Sequence, residues 1–205
     1  MTLQTRHPGH PHVAALAAFL CFAVCCTLPA CAARDSTSPY TAREADRPRD
    51  SRRADQCNSR AVDLMDSDPA QAEKLLREAL AADLYHGPAH NNLGVLLLAK
   101  GEFYEAAGEF EWGRKLLPGS PDPRINLALT LERAGHTDEA LLEYRNALEV
   151  RPGHIPATQA LARLEVTSGK RSDETLQRLK VVALEGETPE WREWAQGELS
   201  KAADR

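Results

Sequence analysis

Landmarks in the middle of this chain recur every 34 residues. Leu93 and Gly94 are answered by Leu127 and Ala128, Gly101 by Gly135, and Ala106 by Ala140. Phe110 is answered by Tyr144 and Pro118 by Pro152. Within residues 121–154 the apolar positions follow two short helical registers. Ile125, Leu127, Ala128 and Leu131 form the first, and Ala140, Leu141, Tyr144, Ala147 and Leu148 the second. Gly135 separates them and Pro152 ends them. A fixed period of this kind signals a helical solenoid, because an ordinary bundle has no reason to keep a constant spacing. Each hairpin alone leaves an apolar face exposed, so several must stack.

Small residues at Gly94, Ala106, Ala128 and Ala140 let two helices approach closely, and Phe110 and Tyr144 fill the space between neighbouring hairpins. With its Leu-Gly pair, mid-repeat Gly, small Ala, aromatic four residues on and late Pro, this 34-residue unit resembles the tetratricopeptide repeat (TPR). His90 and Arg124 stand in the place of the family's early Trp, and Gly113 stands where Ala147 sits one repeat later. The resemblance implies an all-α, right-handed superhelical solenoid of about four helix-turn-helix hairpins. The repeats fall at about 54–86, 87–120, 121–154 and 155–186.

The two ends of the array depart from the pattern. The first hairpin lacks the Leu-Gly pair, and the turn between its helices reads as shorter than in later repeats. Asp68 is placed to cap its second helix, Pro69 suits the first turn, and Ala72, Leu76 and Ala79 answer Ala106, Phe110 and Gly113. The fourth begins with Leu161, Ala162 and Gly169, then drifts. Thr175 and Leu179 match only with one residue inserted near Arg171 and Ser172. Glu165 stands where Leu131 does, with Leu164 able to rotate in. A capping helix is expected over about 189–203, with Trp191, Trp194, Ala195 and Leu199 along one side. The two Trp read as capping core or as a partner contact.

The N-terminal part differs in kind. Residues 13–28 are uncharged and apolar but for Thr27, after a weakly basic start, which reads as a secretory signal over 1–30. Leu28–Cys31 resembles a bacterial lipobox, which implies lipidation of Cys31 and a lipoprotein anchored in the cell envelope, facing outside the cytoplasm. Cleavage after Ala32, giving a secreted or periplasmic protein, and a retained anchor helix are the alternatives. Residues 34–53 are polar and of mixed charge, so 31–53 reads as a disordered tether. Four of the five Cys lie at or before Cys31. Cys57 therefore has no internal disulfide partner; it reads as a small buried residue or as an intermolecular link.

Residues 56–205 hold 18 Lys and Arg against 25 Asp and Glu, about −7 with neutral His. An acidic domain argues against nucleic acid as a partner. No metalloprotease, phosphate-loop or nucleophile-elbow signature is present, so the chain reads as a non-enzyme without cofactor or metal. His86 and His90 are four apart, but Gly87 and Pro88 are expected to break a helix between them. Trp112 lies on a second helix, away from the groove, and reads as an outer contact or as partly buried. The oligomeric state is not legible.

The resemblance also implies where a partner binds, because in this family the first helices of successive repeats line a concave groove. The corresponding positions are Asn91, Val95 and Leu98; Ile125, Leu129, Glu132 and Arg133; and Gln159, Arg163 and Val166. The family's clamp for a chaperone's C-terminal carboxylate needs Lys and Asn at the first two places, which here hold Asn91 and Val95. What remains is an apolar strip beside Arg133 and Arg163, suited to a protein segment with apolar anchors and an acidic group. The implied function is a protein-binding adaptor, the alternative a pilotin-like assembly factor for an envelope complex. Some of these side chains could instead be covered by neighbouring helices.

Overall fold

The computed structural model describes Tyr40 and residues 48–203. Among these residues there are nine helices and no strand. They pair as four hairpins and a final helix. The first hairpin is α1 (Ser51–Val62) with α2 (Pro69–Ala82), the second α3 (Gly87–Lys100) with α4 (Phe103–Leu116). The third is α5 (Asp122–Arg133) with α6 (Thr137–Val150), the fourth α7 (Ile155–Thr167) with α8 (Asp173–Glu185). The last helix is α9 (Pro189–Ala203). Each helix packs on the next, α1 also touches α3, and α3 touches α5. This is the stacked order the 34-residue period predicts, and it makes the chain an all-α helical repeat. No helix among the described residues is long and apolar enough to cross a membrane.

The starts of the helices explain residues that the apolar pattern leaves unassigned. The His86 Nδ1 accepts from the Ala89 N–H at 3.1 Å, and the His154 Nδ1 accepts from the Ala157 N–H at 3.3 Å. Ser120, midway between them in the period, accepts from the Asp122 N–H at 3.3 Å. Each satisfies one of the orphan donors of a first helical turn. Gly87 and Pro88 therefore do not break a helix. They form the first turn of α3, where the missing Pro N–H costs nothing. The turns inside the last three hairpins use Gly101, Gly135 and Gly169 at φ of 81°, 87° and 75°. That is left-handed backbone, which a side chain disfavours.

The core is a row of three clusters. The first gathers buried residues from Ala54 to Leu127, the second from Ala128 to Leu164, the third Ala162, Leu179, Val182 and Ala195. In the second hairpin the approach is close enough that a Cβ on Gly94 would lie 2.6 Å from the Phe110 ring. Ala128 and Tyr144 repeat the arrangement, both almost wholly buried.

Three expectations change. The first hairpin's turn is the longest, not the shortest, spanning 63–68 between α1 and α2. That turn holds no glycine and is closed by backbone bonds such as the Asp68 N–H to the Leu64 carbonyl at 2.8 Å. The tether read over 31–53 ends sooner, because Ser51 already begins α1 and the Asp50 side chain accepts from the Arg53 N–H at 3.0 Å. Glu165 does not rotate out in favour of Leu164. Both are buried, and Glu165 is held by Arg178 Nε at 3.0 Å and Nη2 at 2.7 Å.

Candidate protein-binding surface

Polar rungs tie successive first helices together. Asn92 Nδ2 donates to Asn58 Oδ1 at 2.9 Å, linking α3 to α1. Asn126 Nδ2 donates to Asn91 Oδ1 at 3.0 Å, linking α5 to α3. Arg163 Nη2 donates to both oxygens of Glu132 at 2.8 Å, linking α7 to α5. Each rung satisfies polar groups across a helix seam, so the four first helices hold a fixed spacing. Asn58, Asn92 and Asn126 themselves stand 34 residues apart. That period was legible in the sequence and was hidden only because polar residues carry no weight in an apolar register.

The expected groove residues fall into three groups. Val95, Ile125, Leu129 and Val166 are half-buried, each packing one side against a core cluster and leaving the rest open. Asn91, Glu132 and Arg163 are partly exposed and serve as rungs. Arg133 is exposed and makes no hydrogen bond or ion pair among the described residues. Leu98 and Gln159 leave the surface. Leu98 is 7% exposed in the first core cluster, and Gln159 is 2% exposed, its Oε1 accepting from the Glu187 N–H at 2.8 Å. Gln159 sits where the loop carrying Glu187 closes over it. Cys31 lies outside the described residues.

The charge on this surface is smaller than the sequence suggests. Arg163 spends its guanidinium on Glu132, so the pair is close to neutral towards a partner. Tyr144 donates its hydroxyl to Glu132 Oε2 at 3.4 Å. Burial and the Glu132 carboxylate push the Tyr144 phenol far above its ordinary value, so it stays a donor. Arg133 is left as the open cation at the edge of the strip.

The remaining candidates have structural work. His86 Nε2 lies 2.9 Å from Asp55 Oδ1 while its Nδ1 caps α3. His90 is fully buried with both ring nitrogens engaged, by Glu109 Oε2 and the Leu84 carbonyl at 2.7 Å each. Neither has a nitrogen left for a metal. Trp112 is half-buried and stacks on His90, with ring centroids 5.3 Å apart. Trp191 and Trp194 meet edge-on at 5.5 Å and pack on the third core cluster. Cys57 is buried.

Residues 33–187 match the family model of the protein kinase G tetratricopeptide repeat. No curated protein matches the chain. Among solved structures, the first TPR of Spaghetti (RPAP3), bound to the HSP90 peptide SRMEEVD, is 16% identical. That match covers 59% of this chain and 97% of that one, with a TM-score of 0.56. MamA is 20% identical over 74% of this chain and 81% of its own, with a TM-score of 0.56. A Thermobaculum terrenum O-GlcNAc transferase is 21% identical over 74% of this chain but only 27% of its own, with a TM-score of 0.58. At these identities the likeness is one of fold.

Proposed function

Because this chain belongs to the protein kinase G tetratricopeptide repeat family, we propose that it is a non-catalytic adaptor that binds one segment of a partner protein along its first helices. The observation that carries this reading is the half-open apolar row of Val95, Ile125, Leu129 and Val166 on three successive first helices. The row is held at fixed spacing by the polar rungs and flanked by the open Arg133. Such a row recognises apolar side chains at intervals, and the free guanidinium favours an acidic group beside them. Binding of peptide or protein segments is a common use of this fold; the RPAP3 domain with its HSP90 peptide is one case.

The adaptor is held outside the cytoplasm by lipid on Cys31. The apolar run over 13–28 followed by Leu28–Cys31 supports this part of the reading. Labelled palmitate should enter the wild-type protein and not Cys31→Ser, which should leave the membrane fraction. Equal labelling of the two would overturn the anchor.

A photo-crosslinking residue at Leu129, with a control at the exposed Leu142 on α6, tests the adaptor reading in native cells. One partner should be captured from position 129, not from 142, and Arg133→Glu should cut the yield. Equal capture at both positions by subunits of one large complex would favour an assembly factor instead. No capture at 129 would remove the surface from consideration.

A further inference from the structure

The stretch read as a free tether carries one residue that the structure seats on the repeats. The Tyr40 ring meets His90 edge-on, with centroids 5.4 Å apart and planes at 82°. It meets Trp112 edge-on as well, at 5.8 Å and 89°. Its hydroxyl donates to Glu109 Oε1 at 2.9 Å. The other Glu109 oxygen faces His90 Nδ1 at 2.7 Å, and His90 Nε2 donates to the Leu84 carbonyl at 2.7 Å.

The seat has the chemistry a phenol needs. Two aromatic groups, stacked on each other at 11°, present walls to a ring that arrives edge-on, the arrangement aromatic quadrupoles favour. At its inner end is a carboxylate only 4% exposed. A carboxylate that buried needs donors on both oxygens. His90 Nδ1 faces Oε2, and the phenol donates to Oε1. A phenylalanine fits the walls but leaves Oε1 without that donor, and an aliphatic side chain loses the walls too.

Nothing in the 34-residue pattern demands this contact. Tyr40 lies 69 residues from Glu109 in sequence, outside every repeat. Its neighbours Thr37, Ser38, Pro39 and Thr41 bring little apolar area of their own. A second tie follows downstream, where the Arg49 guanidinium lies 3.9 Å over the Tyr85 ring and Tyr85 meets Trp112 at 6.0 Å.

We propose that His90, Glu109 and Trp112 form a binding site for a tyrosine side chain, filled in this chain by its own Tyr40. The site docks the N-terminal segment onto the second hairpin. The occupant exchanges with a tyrosine supplied in trans. The consequence for reach rests on the lipid anchor at Cys31 proposed above; the site itself does not. With Tyr40 docked, the eight residues from 32 to 39 span at most about 28 Å.

The test uses the full chain in detergent with Trp191→Phe and Trp194→Phe, which leaves Trp112 as the one reporter. Adding Tyr40→Ala should shift Trp112 emission to the red and raise acrylamide quenching at least twofold, with helix content unchanged by circular dichroism. A peptide of residues 35–45, DSTSPYTAREA, should reverse both changes. Its Tyr→Phe version should bind at least fivefold more weakly and its Tyr→Ala version not at all. Unchanged emission in Tyr40→Ala, or equal binding of the three peptides, overturns the proposal. Should the Trp substitutions cost helix content, p-azidophenylalanine at position 40 in the otherwise unaltered chain answers the same question. Crosslinks confined to the peptide bearing Trp112 support the site, and crosslinks scattered over the chain overturn it. Both readouts are internal to the chain, so they stand or fall independently of any partner and of the Cys31 anchor.

Discussion

The second and fourth hairpins reach the same two-helix shape by opposite means. In the second, a glycine admits a ring: Gly94 lies so close to Phe110 that no side chain fits between the helices. In the fourth, Ala162 meets Leu179 in a smaller cluster. The place of Leu131 is taken by Glu165, 2% exposed, with Arg178 at 2.7 Å and Arg145 at 3.4 Å on one oxygen. One hairpin is closed by complementary shape and the other partly by charge. The turn glycines Gly101, Gly135 and Gly169 keep their period through both. The repeat thus constrains backbone path more tightly than it constrains what fills the seam.

The largest effect tests the closure by shape. Phe110 is fully buried, and Phe110→Ala leaves a cavity that the glycine opposite cannot fill. It should cost about 3–5 kcal/mol in urea unfolding. A loss under about 1 kcal/mol would mean that the seam collapses and that shape does not close this hairpin.

The next sharpens the contrast. Arg178→Ala strips Glu165 of its two closest donors and leaves a buried carboxylate with Arg145 alone. Breaking a buried pair from one side costs about 3–5 kcal/mol when nothing replaces it, and the remaining arginine places this case near about 2–3 kcal/mol. Glu165→Leu restores the residue type that Leu131 has one repeat earlier, and it frees two arginines that already reach solvent. It should fall within about 1 kcal/mol of wild type. If Glu165→Leu is the worse of the two, the fourth hairpin depends on its charge for more than tolerance of an out-of-place residue.

A smaller effect tests what the hairpins share. Gly135 has φ of 87° and open space around the position of a Cβ. Gly135→Ala therefore meets no clash, and its cost is backbone strain alone, about 1–2 kcal/mol. Gly101→Ala should match it in a melting experiment, since the two turns have nearly the same φ. A large difference between them would show that the turns are not equivalent.

The sequence is unevenly legible for a physical reason. Hydrophobic spacing, turn glycines and helix-ending prolines act through backbone geometry, which is local, so repeats two and three could be read from one dimension. The burial of Glu165 could not, because its arginine partners lie 13 and 20 residues away and are ordinary surface residues by pattern. The expected partner-facing residues were half legible. Its apolar members Val95, Ile125, Leu129 and Val166 lie partly open on the first helices, whereas Leu98 and Gln159 are covered by neighbours that a single-helix register does not see. The sequence overstates the open charge because the pairing of Arg163 with Glu132, 31 residues apart, has no local signature. By sequence Tyr40 belongs to a tether, because its neighbours are polar. A single aromatic with a distant seat leaves no local signature.

The smallest effect sets the same contrast on a pH axis. Glu198, on the last helix, accepts from Lys201 Nζ at 2.8 Å and from Arg171 Nη2 at 2.7 Å. Those two cations, Lys201 first, hold its carboxyl below the usual range. The folded chain thus binds this proton less tightly than the unfolded chain does. The stabilisation is complete above the ordinary carboxylate value and is lost as pH falls through the lowered one. Glu198→Gln removes that dependence, so the gap between wild type and variant in urea midpoint should be widest at neutral pH and close below about pH 4. Salt should narrow it as well, since Lys201 is exposed and screened. The gap between wild type and Phe110→Ala should stay constant over the same range, because a cavity carries no titrating group. Parallel curves for Glu198→Gln and Phe110→Ala would mean that the C-terminal end, too, is held by packing, and that its ion pairs contribute nothing measurable.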